Sequence, residues 1–117
     1  MTSTEIGKAG EDAACRFLRN QGLTLVTENF RCRMGEIDLI MRDGTTLVFI
    51  EVRLRQSENF HSGAESITRS KIRRLLHTAE LFLQAYPEPD DTDFRFDVVS
   101  IGNEIEWIRE AFTADDR

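Results

Sequence analysis

"GEIDLIMRDGTTLVFIEVRLR", residues 35 to 55, is the stretch on which the fold turns. Two apolar runs flank Asp43-Gly44, a strong turn signal, so the stretch reads as a β-hairpin. Side chains alternate along a strand, which puts Glu36, Asp38 and Ile40 on one face and Ile37, Leu39 and Met41 on the other. On the second strand Leu47, Phe49, Glu51 and Arg53 share a face. A two-residue turn at Asp43-Gly44 pairs Arg42 with Thr45. That register sets Glu36 opposite Glu51 and Asp38 opposite Phe49. Asp38 and Glu51 then become diagonal neighbours, with stems about 7–8 Å apart or somewhat less.

Three carboxylates in so apolar a hairpin call for compensation, because like charges facing each other in a sheet destabilise it and burial adds to the cost. An oxygen-coordinated divalent cation is one source of positive charge, and Mg²⁺ characteristically takes one or two carboxylates with waters and phosphate. Arg53, as an ion-pair partner, is another. The bland alternative is a solvated sheet edge. Strands with Ile, Val and Leu on both faces argue instead for burial.

Around the hairpin the chain reads as one domain. Its 117 residues can bury one core, and 40% hydrophobic with 31% charged residues is a globular composition. A first helix is expected over about 4–20, with Ile6, Ala13, Ala14, Phe17 and Leu18 on one side and Gly22 as its stop. "LTLVTENF" (23–30) reads as a strand and "QSENFHSG" (56–63) as a loop. A second helix is expected over about 70–86, ended by Pro87 and Pro89. "FRFDVVSI" and "EIEWI" read as two last strands. The sum is an α/β domain with a mixed sheet of about five strands flanked by helices.

No apolar run approaches the roughly 20 residues of a membrane span, and the N-terminal stretch lacks the pattern of a signal peptide. Cys15 and Cys32 have neither CxxC spacing nor a His pair, so a cytoplasmic protein with reduced thiols is expected. The net charge of −6 hides two opposite patches. Residues 53–77 carry a local balance of +4, from Arg53, Arg55, Arg69, Lys71, Arg73 and Arg74 against Glu58 and Glu65, whereas residues 87–117 carry −7. Cations at the start of the second helix oppose its dipole, by about 0.3–1 kcal/mol each where exposed. A phosphate beside them would reverse that sign. An ordinary solvated face is the alternative. No run of exposed aromatics points to base stacking. His61, in the loop, is weighed as a proton donor against no role. His77 is expected to pack or touch phosphate, and Trp107 to belong to the core or a subunit contact.

"GEIDLI" followed by "FIEVR", with Glu51 thirteen residues after Asp38, resembles the PD-(D/E)xK nuclease core. With "GKAGEDAACRFL" (7–18), "SITRSKIRRLLHTAELFL" (66–83), "RFDVVSI" (95–101) and "EWIREAF" (106–112), nearly the whole chain resembles the YraN family of uncharacterised bacterial proteins, which are similar to archaeal Holliday junction resolvases. The resemblance implies a restriction-endonuclease-like fold, DNA (double-stranded or branched) as partner, and a Mg²⁺- or Mn²⁺-dependent endonuclease activity. It implies Asp38 and Glu51 as metal-binding acids, Glu11 as a further acid from the first helix, and Glu36 as an acid behind them. At the third motif position the pattern has Lys, but this chain has Arg53. A guanidinium can stabilise developing charge but cannot act as a base. A binding module without cleavage therefore stays open beside the nuclease. Arg55, Arg69, Lys71, Arg73 and Arg74 are the candidates for phosphate contact. A homodimer stays open by analogy with resolvases.

Overall fold

The computed structural model describes residues 2–55 and 67–117. Helix α1 (Ser3–Asn20) is followed by strands β1 (Thr24–Cys32), β2 (Gly35–Asp43) and β3 (Thr46–Leu54), helix α2 (Arg69–Ala85), and strands β4 (Phe94–Ile101) and β5 (Ile105–Phe112). The five strands form one mixed sheet in the order β1-β2-β3-β4-β5. Neighbours are antiparallel except β3 and β4, which run parallel. A parallel pair needs a crossover, and α2 lies within that connection. The α/β class and the five-strand sheet agree with the reading of the sequence; β5 continues beyond the "EIEWI" segment to Phe112.

Both helices start on threonine caps. The Thr2 side chain accepts from the Glu5 amide while Glu5 reaches back, a capping box, and the Thr68 hydroxyl accepts from the Lys71 amide at 3.1 Å. Gly22, with φ of +101°, turns the chain out of α1. Each helix buries its apolar stripe on one side of the sheet. Ala14 and Leu18 of α1 pack with Leu39, Met41, Val48, Ile50 and Val99. Ile72, Leu75, Ala79 and Phe82 of α2 pack with Ile37, Ile40, Leu47, Phe49 and Phe112. Fully burying a Val, Leu, Ile, Phe or Met side chain contributes about 1.5–3 kcal/mol, and this burial is the main force holding the three layers together. Ile6, expected on the buried side of α1, is 46% exposed, because it lies in the first turns before the helix reaches the sheet.

The hairpin register lies two residues from the expected one. Asp43 pairs with Thr46 and Arg42 with Leu47, so the loop residues are Gly44 and Thr45. Gly44 alone takes a positive φ (+63°), which suits glycine at the first loop position; a turn centred on Asp43-Gly44 would need two such residues. Asp43 instead accepts a hydrogen bond from Arg95 Nη2 at 3.0 Å. A shift of two keeps every side chain on its face but slides Asp38 from opposite Phe49 to the level of Glu51. Nor is Glu51 at a solvated edge: β3 is the middle strand and Glu51 is only 7% exposed.

Candidate functional site

The sheet forks at Asp38. The β2–β3 ladder stops at the Leu39–Ile50 pair, although β2 begins at Gly35 and β3 continues to Leu54. Below that point β2 pairs with β1 and β3 with β4. Strict alternation also breaks there. Ile37 packs on the α2 side with Ile40, while Leu39 and Met41 pack on the α1 side, against the expectation that all three odd-numbered residues share a face. Asn29 lies across from this point in β1, between the Glu28–Leu39 and Phe30–Ile37 pairs, and has a left-handed backbone (φ +53°) that asparagine tolerates better than most residues. A lost ladder leaves amides to satisfy. Val52 finds its acceptor in the Asp38 carboxylate, at 2.8 Å from Oδ2.

The fork lets side chains from α1 and from the sheet reach one place. Glu11 from α1, Glu36 and Asp38 from β2 each bring a carboxylate oxygen to within 4.8 Å of the others. Asn29 Nδ2 donates to Glu11 Oε1 at 2.9 Å and to Glu36 Oε1 at 3.4 Å, tying the outer two together. Arg31 pairs with Glu36. Among the described residues neither Asp38 nor Glu11 has an ion-pair partner. Glu51 lies beside Asp38, and its Oε2 meets Lys71 Nζ of α2 at 2.5 Å. Glu36, Asp38, Glu51, Lys71 and Arg74 line an open cavity of about 240 Å³. Burial, then the charge of Glu51, hydrogen bonding to Glu51 and the charge of Glu11 push the Asp38 carboxyl up to about 8 against the opposing pull of the Val52 amide.

Such a centre fits a hard cation. Among the described residues all its donors are carboxylate oxygens, with no His or Cys, the set that suits Mg²⁺ or Mn²⁺ rather than zinc. A divalent charge would offset the repulsion that adds to burial in raising the Asp38 pKa.

The residues singled out in the sequence distribute unevenly. Glu11 and Asp38 meet at the fork, while Glu51 lies beside Asp38 outside the set of mutually close oxygens. Arg53, two places after Glu51, sits half-buried beside Ser100 of β4, and its Nη1 is buried with no hydrogen-bond partner among the described residues. Arg55 Nη2 donates to the Glu104 carbonyl at 3.0 Å, so part of its guanidinium is held at the β4–β5 turn. Arg69, Arg73 and Arg74 are exposed along the first turns of α2, and no acidic residue stands in the first of these turns. His77 is exposed; Trp107 is half-buried, donating from Nε1 to Asp97 at 2.9 Å with Arg109 stacked 3.9 Å over its ring. His61 lies outside the described residues.

Three participants carry weaker signals in the sequence. Glu36, expected as an acid behind the site, stands among the converging oxygens. Lys71, expected as a phosphate contact, has its ammonium on Glu51. For Asn29 the one hint is an asparagine inside a run of strand formers, where a left-handed kink is the usual reason.

The arrangement has relatives. A model of the uncharacterised protein family UPF0102 matches residues 10–101. The UPF0102 protein YraN of Salmonella arizonae is 53% identical over 114 residues, covering 96% of this chain and 87% of that protein. The same protein from Salmonella newport matches to the same extent. Family match and relatives span the helix that carries Glu11, the forked hairpin and the basic helix alike, and the chain belongs to the YraN family, UPF0102.

Proposed function

We propose that this protein binds DNA, double-stranded or branched, and hydrolyses its phosphodiester bonds with a divalent cation held at the fork. The observation that carries the reading is the convergence of Glu11, Glu36 and Asp38 beside Glu51, at a cavity whose other wall is the basic start of α2. Glu11, Glu36, Asp38 and Glu51 would hold Mg²⁺ or Mn²⁺. Such an ion supplies Lewis-acid charge to a phosphate and makes water a better nucleophile near neutral pH.

The chain's own groups do the rest. Asn29 fixes the two outer carboxylates, and the Val52 amide fixes Asp38, so the acids are oriented before any ligand arrives. Arg69, Arg73 and Arg74 lie exposed where a polyphosphate backbone would offset their repulsion from the helix dipole. Contacts of this kind hold DNA by charge and shape, without reading base sequence. Cutting both strands of a branched DNA calls for two copies of the chain, so a homodimer belongs to this reading, as does action in the cytoplasm.

The second reading is a module that keeps fold and basic helix without cleavage; Arg53 at the motif's lysine position favours it. Cleavage of labelled linear, flapped and four-way DNA with Mg²⁺ or Mn²⁺, beside an Asp38→Asn control, separates the two. Metal-dependent cutting that the control loses is the expected result. Tight binding of those DNAs at low salt, with no cutting by the unaltered protein, would leave the module.

A further inference from the structure

Two cationic side chains compete for the place beside the acids. Arg53 follows Glu51 on β3, but among the described residues its Nη1 is buried without a partner and it is not part of the cavity lining. Lys71 arrives from α2. Its Nζ stands 2.5 Å from Glu51 Oε2, and its side chain, 40% exposed, lines the cavity that opens from the acids to solvent. Packing determines where it starts. The Thr68 hydroxyl accepts the Lys71 amide at 3.1 Å, and the adjacent Ile72 is 7% exposed against the core.

We infer that Lys71, not Arg53, is the working cation of the centre. It holds Glu51 while no divalent ion is bound, and it contacts the phosphate that reacts, supplying from a helix the charge that the nuclease pattern draws from β3. The inference rests on the nuclease reading for its second half only. An ammonium is a compact point charge on a flexible four-carbon stem. It can pivot from Glu51 to a phosphate while α2 stays seated. The Arg53 guanidinium has Nη1 buried and, among the described residues, stands outside the lining of the cavity.

A backbone contact and a cation of the centre leave different traces. The first changes DNA affinity and salt dependence; the second changes turnover and the affinity for the divalent ion. The test compares the unaltered protein with Lys71→Met, Lys71→Arg and Arg53→Met in three measurements. These are Mn²⁺ binding without DNA by calorimetry, four-way junction affinity with EDTA, and single-turnover cleavage with Mn²⁺ at saturating protein. For Lys71→Met we expect tighter Mn²⁺ binding, because a competitor for Glu51 is gone. Its cleavage should fall about 100-fold or more, the scale of removing one charge-stabilising donor, with junction affinity little changed. Lys71→Arg should recover part of the rate, and Arg53→Met should lose far less.

Cleavage that falls only in step with affinity would overturn the inference, as would an Arg53→Met variant that loses cleavage while Lys71→Met keeps it. If the unaltered protein cuts none of the DNAs, the nuclease reading fails and the Mn²⁺ titration decides alone. Tighter binding by Lys71→Met keeps Lys71 at the centre; an unchanged titration removes it.

Discussion

Replacing Asp38 by Asn removes the carboxyl that the fold strains most, and the consequence has a sign. The Asp38 pKa is raised from 3.8 to about 8, so between those values the folded chain holds a proton that the unfolded chain has lost. Raising the pH across that window therefore penalises the folded state. The stability tied to the protonated group is complete below the unfolded value and is lost as pH climbs through the folded one. One pKa unit is worth about 1.36 kcal/mol, so moving from pH 5 to pH 9 costs up to about 4 kcal/mol at this residue. The partly open site and the coupling to Glu51 lower the expectation to about 2–3 kcal/mol.

Asn cannot ionise, and its carbonyl can still accept from the Val52 amide. Urea unfolding followed by the fluorescence of the single Trp107, with EDTA present, measures the effect. Asp38→Asn should gain on the unaltered protein by about 2–3 kcal/mol between pH 5 and pH 9. Mg²⁺ should then cancel most of that gain at pH 8, since an ion at 100 times its Kd adds about 2.7 kcal/mol to the unaltered protein and little to the variant. Parallel pH profiles for the two proteins in EDTA would refute the account of Asp38 as a buried acid under repulsion.

Two further predictions concern the scaffold and the basic flank. Asp97 is fully buried and accepts from Arg95, from Trp107 Nε1 and from the Glu110 amide, each at about 2.9–3.0 Å. Asp97→Ala leaves Trp107 Nε1 and the Glu110 amide without a partner and Arg95 with Asp43 alone, and should cost about 3–5 kcal/mol in chemical denaturation; a loss below about 1 kcal/mol would show that water replaces the carboxylate cheaply. Arg73→Ala with Arg74→Ala should flatten the slope of log affinity against log salt by about two, with similar weakening for every DNA sequence, and an unchanged slope would take the DNA backbone away from α2.

Much of this protein is legible without coordinates because local chemistry decides it. Apolar spacing marks both helices and all five strands, Pro87 ends α2, and the acids at 38 and 51 stand out against an apolar hairpin. Their pairing with Glu11 was available only through likeness to a family, since an acid in the first half of a helix is ordinary. Tertiary structure decided the rest. A two-residue change of register preserves every face, so hydrophobic pattern cannot see it, yet it moves Asp38 level with Glu51. The fork below Leu39–Ile50 faces a left-handed Asn29 in β1, a backbone conformation that the residue permits but does not compel. That Lys71 rather than Arg53 reaches the acids follows from how α2 packs back over the sheet, a matter of long-range burial rather than of sequence spacing.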